Sequence, residues 1–76
     1  MAEIKLGDRV RVVRVIPFNE EGDLSPRALA RLDQEGEVID VTASEDGYGY
    51  GVRFETRDAQ GFRDLYFYDE ELEVIA

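Results

Sequence analysis

The chain has no cysteine and no histidine, and each absence closes off a class of function. Without cysteine there are no disulfides, no thiolate metal sites and no iron–sulfur ligation by this chain. Without histidine it lacks the commonest general base and the commonest transition-metal ligand. Prolines number only two. No apolar run approaches the length of a membrane span, and the start, Met1-Ala2-Glu3-Ile4-Lys5, lacks the basic and apolar regions of a secretory leader. Those features predict a cytoplasmic protein with no membrane association.

What is present suits one small domain over residues 1–76. Apolar residues make up 43% of the 76, enough for a core and too much for a disordered chain despite 36% charged residues. The net charge is −9, unevenly placed. Residues 1–32 carry six bases and five acids, whereas residues 33–76 carry three bases and thirteen acids. A nucleic-acid binder needs a basic face to neutralise phosphates, and the C-terminal half would repel them. Arg9, Arg11 and Arg14 form a local stripe, for which a solvated strand face is the plainer reading. At long range the acidic half favours a protein partner with a basic surface.

The pattern along the chain is that of short strands. Leu6-Gly7-Asp8 marks a turn, and Arg9-Val10-Arg11-Val12 then alternates so as to bury valines and expose arginines. The alternation slips at Val12-Val13 and resumes through Arg14-Val15, which predicts a bulge or sharp bend there. Pro17 ends the strand because it has no N–H to donate. A long connection follows, in which Ser25-Pro26 is an N-cap followed by proline in the first helical position, predicting a helical turn over Pro26–Leu32. Leu29 and Leu32 lie three apart and are expected to pack back onto the sheet. A second strand runs over Glu37–Thr42, and Ser44-Glu45-Asp46-Gly47 is the hairpin turn after it. Tyr48, Tyr50, Val52 and Phe54 alternate with Gly49, Gly51, Arg53 and Glu55 in the third strand. Arg57–Gly61 is a polar loop, Phe62–Tyr68 the fourth strand, and Leu72–Ile75 the closing strand after the acidic turn Asp69-Glu70-Glu71.

Catalytic chemistry finds little to work with. Any acid, base or nucleophile would have to be a carboxylate, a hydroxyl or the single lysine. The acids cluster in predicted turns, where exposed carboxylates keep ordinary pKa values, and a small barrel fills its interior with side chains. Ser44–Gly47 lacks the alternating oxygen ligands of a calcium loop. Gly47, Gly49 and Gly51 are separated by tyrosines in a strand, so they build no phosphate cradle. The expectation is therefore no catalytic residue, no bound cofactor and no metal.

Seven of the eight aromatics fall between Tyr48 and Tyr68. Phe54 and one of Phe67 or Tyr66 are expected in the core. For the others, cross-strand pairing and an exposed contact surface are equally compatible with the pattern. As a contact surface, Tyr48, Tyr50, Tyr66 and Tyr68 would be anchors, with Asp69, Glu70 and Glu71 a steering rim.

The order Gly7-Asp8-Arg9-Val10-Arg11-Val12, Glu35-Gly36-Glu37-Val38, Tyr50-Gly51-Val52-Arg53-Phe54-Glu55 and Glu71-Leu72-Glu73-Val74 covers nearly the whole chain. It resembles a group of SH3-like barrels: the variable chain of ferredoxin–thioredoxin reductase, the small stromal barrel subunit of photosystem I, and the C-terminal barrel of the nitrile hydratase β chain. The last belongs to a longer chain with a helical part absent here. The resemblance implies an accessory barrel that supports a partner carrying the redox or metal chemistry. The opening is shared with nucleic-acid- or ribosome-associated barrels of the KOW type, but Gly36 follows Gly7 by 29 positions, which favours the first group.

The expectation is thus an all-β, five-stranded SH3-like barrel with a long first loop holding a short helical turn. Its expected core is Val10, Val12, Val38 or Ile39, Val41, Val52, Phe54, Leu65 or Phe67, Leu72 and Val74.

Overall fold

The computed structural model describes residues 3–42 and 48–76, the side chain of Tyr48 excepted. The expected turn at Ser44–Gly47 lies outside them. Five antiparallel strands form one sheet: β1 (Arg9–Val12), β2 (Glu35–Val41), β3 (Tyr48–Phe54), β4 (Asp64–Tyr68) and β5 (Leu72–Val74), ordered β4-β3-β2-β1-β5. Strands β1 to β4 form a meander, and β5 returns to the far side of β1. Only the 3-10 turn Asp69–Glu71 separates β4 from β5. The four Cα–Cα steps from Tyr68 to Leu72 reach at most about 14 Å, whereas the four gaps of a flat five-stranded sheet amount to about 19 Å. The sheet therefore curls, giving the small barrel-like all-β fold expected from the alternating pattern.

Its inner face is the core. Val10, Val12, Val38 and Val52 are fully buried, and Phe54 meets Phe67 edge-to-face at 6.0 Å between ring centres. Of the two open choices, Val38 is buried rather than Ile39, and Phe67 rather than Leu65; Leu65 and Val74 pack against the core partly buried. Ile4 and Ala28 complete it. Gly36 lies where β3 passes tightly against β2, since a Cβ there would stand 2.6 Å from the Arg53 carbonyl oxygen.

Four expectations are corrected. First, of the bulge or bend expected at Val12-Val13 the ladders of β1 show no bulge, and the strand ends at Val12. Instead, β2 slips register between Val38 and Asp40, and β3 between Tyr48 and Tyr50. Second, Val41 is 43% exposed, because it lies beyond the β2 slip, opposite half-buried Tyr50 at the end of the ladder. Third, β4 begins at Asp64, and Phe62 is exposed in the preceding loop.

The fourth concerns helix α1 (Pro26–Leu29), which is shorter than expected although Ser25 caps it as predicted, its Oγ accepting from the Ala28 N–H at 3.4 Å. Leu29 and Leu32 stay exposed, at 43% and 40%. The residues turned inward are Ala28 and Arg31, the latter only 4% exposed. The Arg31 guanidinium lies 4.3 Å from the centre of the Phe54 ring. It donates to the Thr56 and Phe62 carbonyls at 2.8 and 3.1 Å, to Thr56 Oγ1 at 3.2 Å and to Gln34 Oε1 at 2.9 Å. A planar fork is satisfied here by neutral oxygens and an aromatic face. It fastens the segment after α1 to the loop between β3 and β4.

Replacing Arg31 by Met keeps much of the apolar stem but takes the donor from the Thr56 carbonyl and one of two donors from the Phe62 carbonyl, which keeps the Asp58 N–H at 2.7 Å. The expected loss is about 3 kcal/mol, or a melting temperature lower by about 10–20 °C in a domain of this size. Arg31→Lys recovers only part, because a point charge cannot stack and fork at once. Thermal unfolding followed by circular dichroism checks both.

Candidate functional site

The structure distributes the predicted contact residues over two faces. In β4, Phe67 points inward, so Asp64, Tyr66 and Tyr68 point outward. In β3, Tyr50 lies opposite Phe67 and packs against the core, while Gly51 lies opposite Tyr66 on the outer face. Tyr48 takes its place opposite Tyr68.

On the outer face the Tyr66 ring lies against Gly51: a Cβ there would meet it at 3.0 Å. The Tyr66 hydroxyl donates to Asp40 Oδ2 across the slipped part of the ladder. This hydrogen bond raises the phenol above its ordinary value, with desolvation and the charges of Asp40 and Asp64 adding to it. Beside it, Arg53 binds Asp64 through two contacts of 2.9 and 3.2 Å, and that guanidinium lowers the Asp64 carboxyl below its ordinary value. Tyr66 is therefore already engaged within its own sheet.

Tyr50, Asp69 and Glu70 do come together. They line an open groove of about 850 Å³ at the end of the barrel where the 3-10 turn leads into β5. Its apolar surface comes from Ile4, Val13, Leu72 and Val74 with the Tyr50 ring, and four carboxylates border it: Glu3, Asp69, Glu70 and Glu73. Arg14 is the one base among the lining residues. No ion pair among the described residues engages these four acids. Burial of one tyrosine face beside a wet acidic border is the arrangement that suits a contact site.

Glu71 departs from its predicted place. It is 3% exposed, and its carboxylate accepts from the Ile16 N–H at 3.0 Å and the Tyr68 N–H at 2.8 Å. Its carbonyl oxygen accepts from the Val13 N–H at 2.9 Å. Glu71 thus builds the groove's frame rather than its rim. Three consecutive acids in sequence carry no sign of which one turns inward; the geometry of a single 3-10 turn decides it.

The arginine stripe is also changed by its surroundings. Arg9 and Arg11 both reach Glu35, at 3.2 and 3.4 Å, and together they hold its carboxyl below the ordinary value. Arg53 is paired with Asp64. Among the described residues no group of three or more acids is gathered to hold a metal ion. Among the described residues no buried side-chain polar atom is left without a partner. Comparison with known proteins gives no match, either to a family model or to a curated protein.

Two outcomes test this geometry. Glu71→Ala removes a charged acceptor from two N–H groups and lowers stability by about 3 kcal/mol. Asp69→Ala and Glu70→Ala, at exposed positions, each change it by less than about 0.5 kcal/mol; urea unfolding separates the two cases. For Tyr66, the raised pKa means that the neutral phenol is favoured by folding. The stabilisation it brings is therefore full below the unfolded pKa and is lost as pH rises through the folded one. In an alkaline titration followed by near-ultraviolet absorbance, Asp40→Asn brings one tyrosine back toward its ordinary value.

Proposed function

We propose that this chain is a non-catalytic accessory barrel of the cytoplasm that acts by binding a protein partner with a basic surface. The observation that carries this reading is the groove: an apolar surface with Tyr50, bordered by four carboxylates that no ion pair among the described residues engages. Electrostatic complementarity of that kind steers a basic partner, and a half-buried tyrosine on an apolar bed anchors it. The absence of cysteine and histidine points the same way. So does the resemblance to SH3-like accessory subunits, in which a redox or metalloenzyme partner holds the reactive centre; that resemblance concerns the fold more than the site. The competing KOW-like reading needs a free phosphate track built from Arg9, Arg11, Arg14 and Arg53, yet Arg9, Arg11 and Arg53 are occupied by carboxylates.

The experiment is retrieval of partners from the native organism by the immobilised chain, at low and moderate salt, with identification by mass spectrometry. Three forms are compared: wild type, Glu3→Lys/Glu70→Lys and Arg9→Glu/Arg11→Glu. The expected result is one discrete protein kept by wild type and by the arginine variant and lost by the groove variant. With that protein purified, the groove variant should slow association on the order of tenfold. Equal retrieval by all three forms overturns the groove as the contact surface. Ribosomal or transcription components lost only by the arginine variant would establish the KOW-like reading instead.

A further inference from the structure

The groove has a backbone side as well as a side-chain side. Strand β5 is an edge of the sheet, with β1 as its neighbour. The ladder between them pairs Val10 with Val74, Arg11 with Glu73 and Val12 with Leu72. At its two ends the Ile75 N–H donates to the Arg9 carbonyl at 2.8 Å, and the Val13 N–H donates to the Glu71 carbonyl at 2.9 Å. Hydrogen-bonded pairs alternate along an antiparallel ladder. Glu71, Glu73 and Ile75 therefore turn their main-chain groups toward β1, and Leu72 and Val74 turn theirs away. The Leu72 N–H is taken by the Asp69 carbonyl within the 3-10 turn. That leaves the Val74 N–H and the Leu72 and Val74 carbonyls along the outer edge, and no backbone hydrogen bond among the described residues reaches them. Leu72, Glu73 and Val74 are also groove-lining residues, so this edge opens into the groove.

The opposite edge is treated differently. Beside β4, Arg27 of α1 donates to the Asp64 carbonyl at 3.4 Å and binds Asp58 of the preceding loop at 3.0 Å. Covering an edge with a helix or loop is the usual protection against unwanted pairing. The chain covers the start of β4 in this way, at Asp64, and leaves β5 facing an apolar, acid-bordered channel.

We infer that the groove receives an extended segment of the partner as a sixth strand on β5, with apolar residues alternating with lysine or arginine. The inference rests on the interaction reading above and specifies its binding mode. In an added strand, alternate side chains point to one face. The apolar set would lie against Ile4, Leu72, Val74 and Tyr50, and the basic set would reach the bordering carboxylates. Four acids against one arginine select that sign of charge.

The probe is a capped hexapeptide, Lys-Val-Lys-Val-Lys-Val, with Glu-Val-Glu-Val-Glu-Val as its control. Two backbone-methylated forms are added, one N-methylated at every valine and one at every lysine. Along a strand, N–H groups two residues apart point to the same edge. Strand addition therefore predicts that one methylated form loses at least tenfold in affinity while the other keeps it. Which form loses reports the direction of the added strand. The basic peptide should slow hydrogen exchange at the Val74 amide, weaken with added salt, and bind at least tenfold more weakly to Glu3→Lys/Glu70→Lys; the acidic peptide should not bind.

Binding of the basic peptide without Val74 protection, or with both methylated forms unaffected, overturns strand addition while leaving the groove as a contact surface. Absence of binding by any peptide, with a native partner still lost by the groove variant, likewise overturns only the strand mode. Loss of both methylated forms, or equal binding of the acidic peptide, overturns the proposed recognition as well.

Discussion

The carboxylate of Glu71 holds the junction between the two edge strands, and the rest of the barrel depends on that junction. Strands β4 and β5 stand at opposite ends of the strand order, yet only three residues join them. By accepting from the Tyr68 and Ile16 N–H groups, Glu71 fastens the end of β4, the start of the long loop and the entry to β5 at one point. A buried charge is expensive unless hydrogen-bonded, so the turn has one conformation in which its third acid is satisfied. In that conformation Asp69 and Glu70 are exposed at the groove. The same few residues thus close the sheet and set the sign of its open end.

Charge placement over the remaining surface follows from pairing. Arg9 and Arg11 share Glu35, Arg27 holds Asp58 and Arg53 holds Asp64. Asp58 is further tied by the N–H groups of Gln60 and Phe62, each at 2.9 Å, and the Phe62 bond leads in lowering its carboxyl below the ordinary value. These pairs are mostly exposed and individually weak. Their effect is to use up bases on the sheet faces and around the β3–β4 loop. The uncompensated part of the −9 net charge includes the acids at the groove. Arg31 sits outside this pairing altogether, buried against Phe54 and neutral oxygens.

Periodicity made the strands legible where apolar and polar residues alternate, as in Arg9–Val12. It failed where tertiary geometry breaks the period. The register slip between Val38 and Asp40 leaves Ile39 without an opposite residue and carries Val41 to the exposed end of the ladder. Around α1, a hydrophobicity scale favours Leu29 and Leu32, but the space beneath the helix is small and lies beside a ring face and two carbonyls. Ala28 fits the space, and an arginine satisfies the carbonyls. Of the predicted contact residues, Tyr50, Asp69 and Glu70 are brought together. Tyr66 turns to Asp40, because its ring requires the absence of a side chain at Gly51 and finds it on the outer face. The contributions of Ile4, Val13 and Glu3 come from chain segments that local pattern does not connect to β5.

A short free edge in a charged setting discriminates by requiring two conditions at once. Three residues of β5 supply too few backbone bonds to hold another strand by themselves, and short edges are one means by which proteins avoid pairing with copies of themselves. A second copy of this chain would bring its own Glu73 and the same acid border to the contact, and like charges placed against one another oppose association. A basic segment converts that repulsion into attraction and adds apolar contact with the groove. Backbone pairing is generic, so selectivity must come from the side chains around it. In this fold the shortness of β5 and the acids beside it both restrict pairing at this edge to strands of opposite charge.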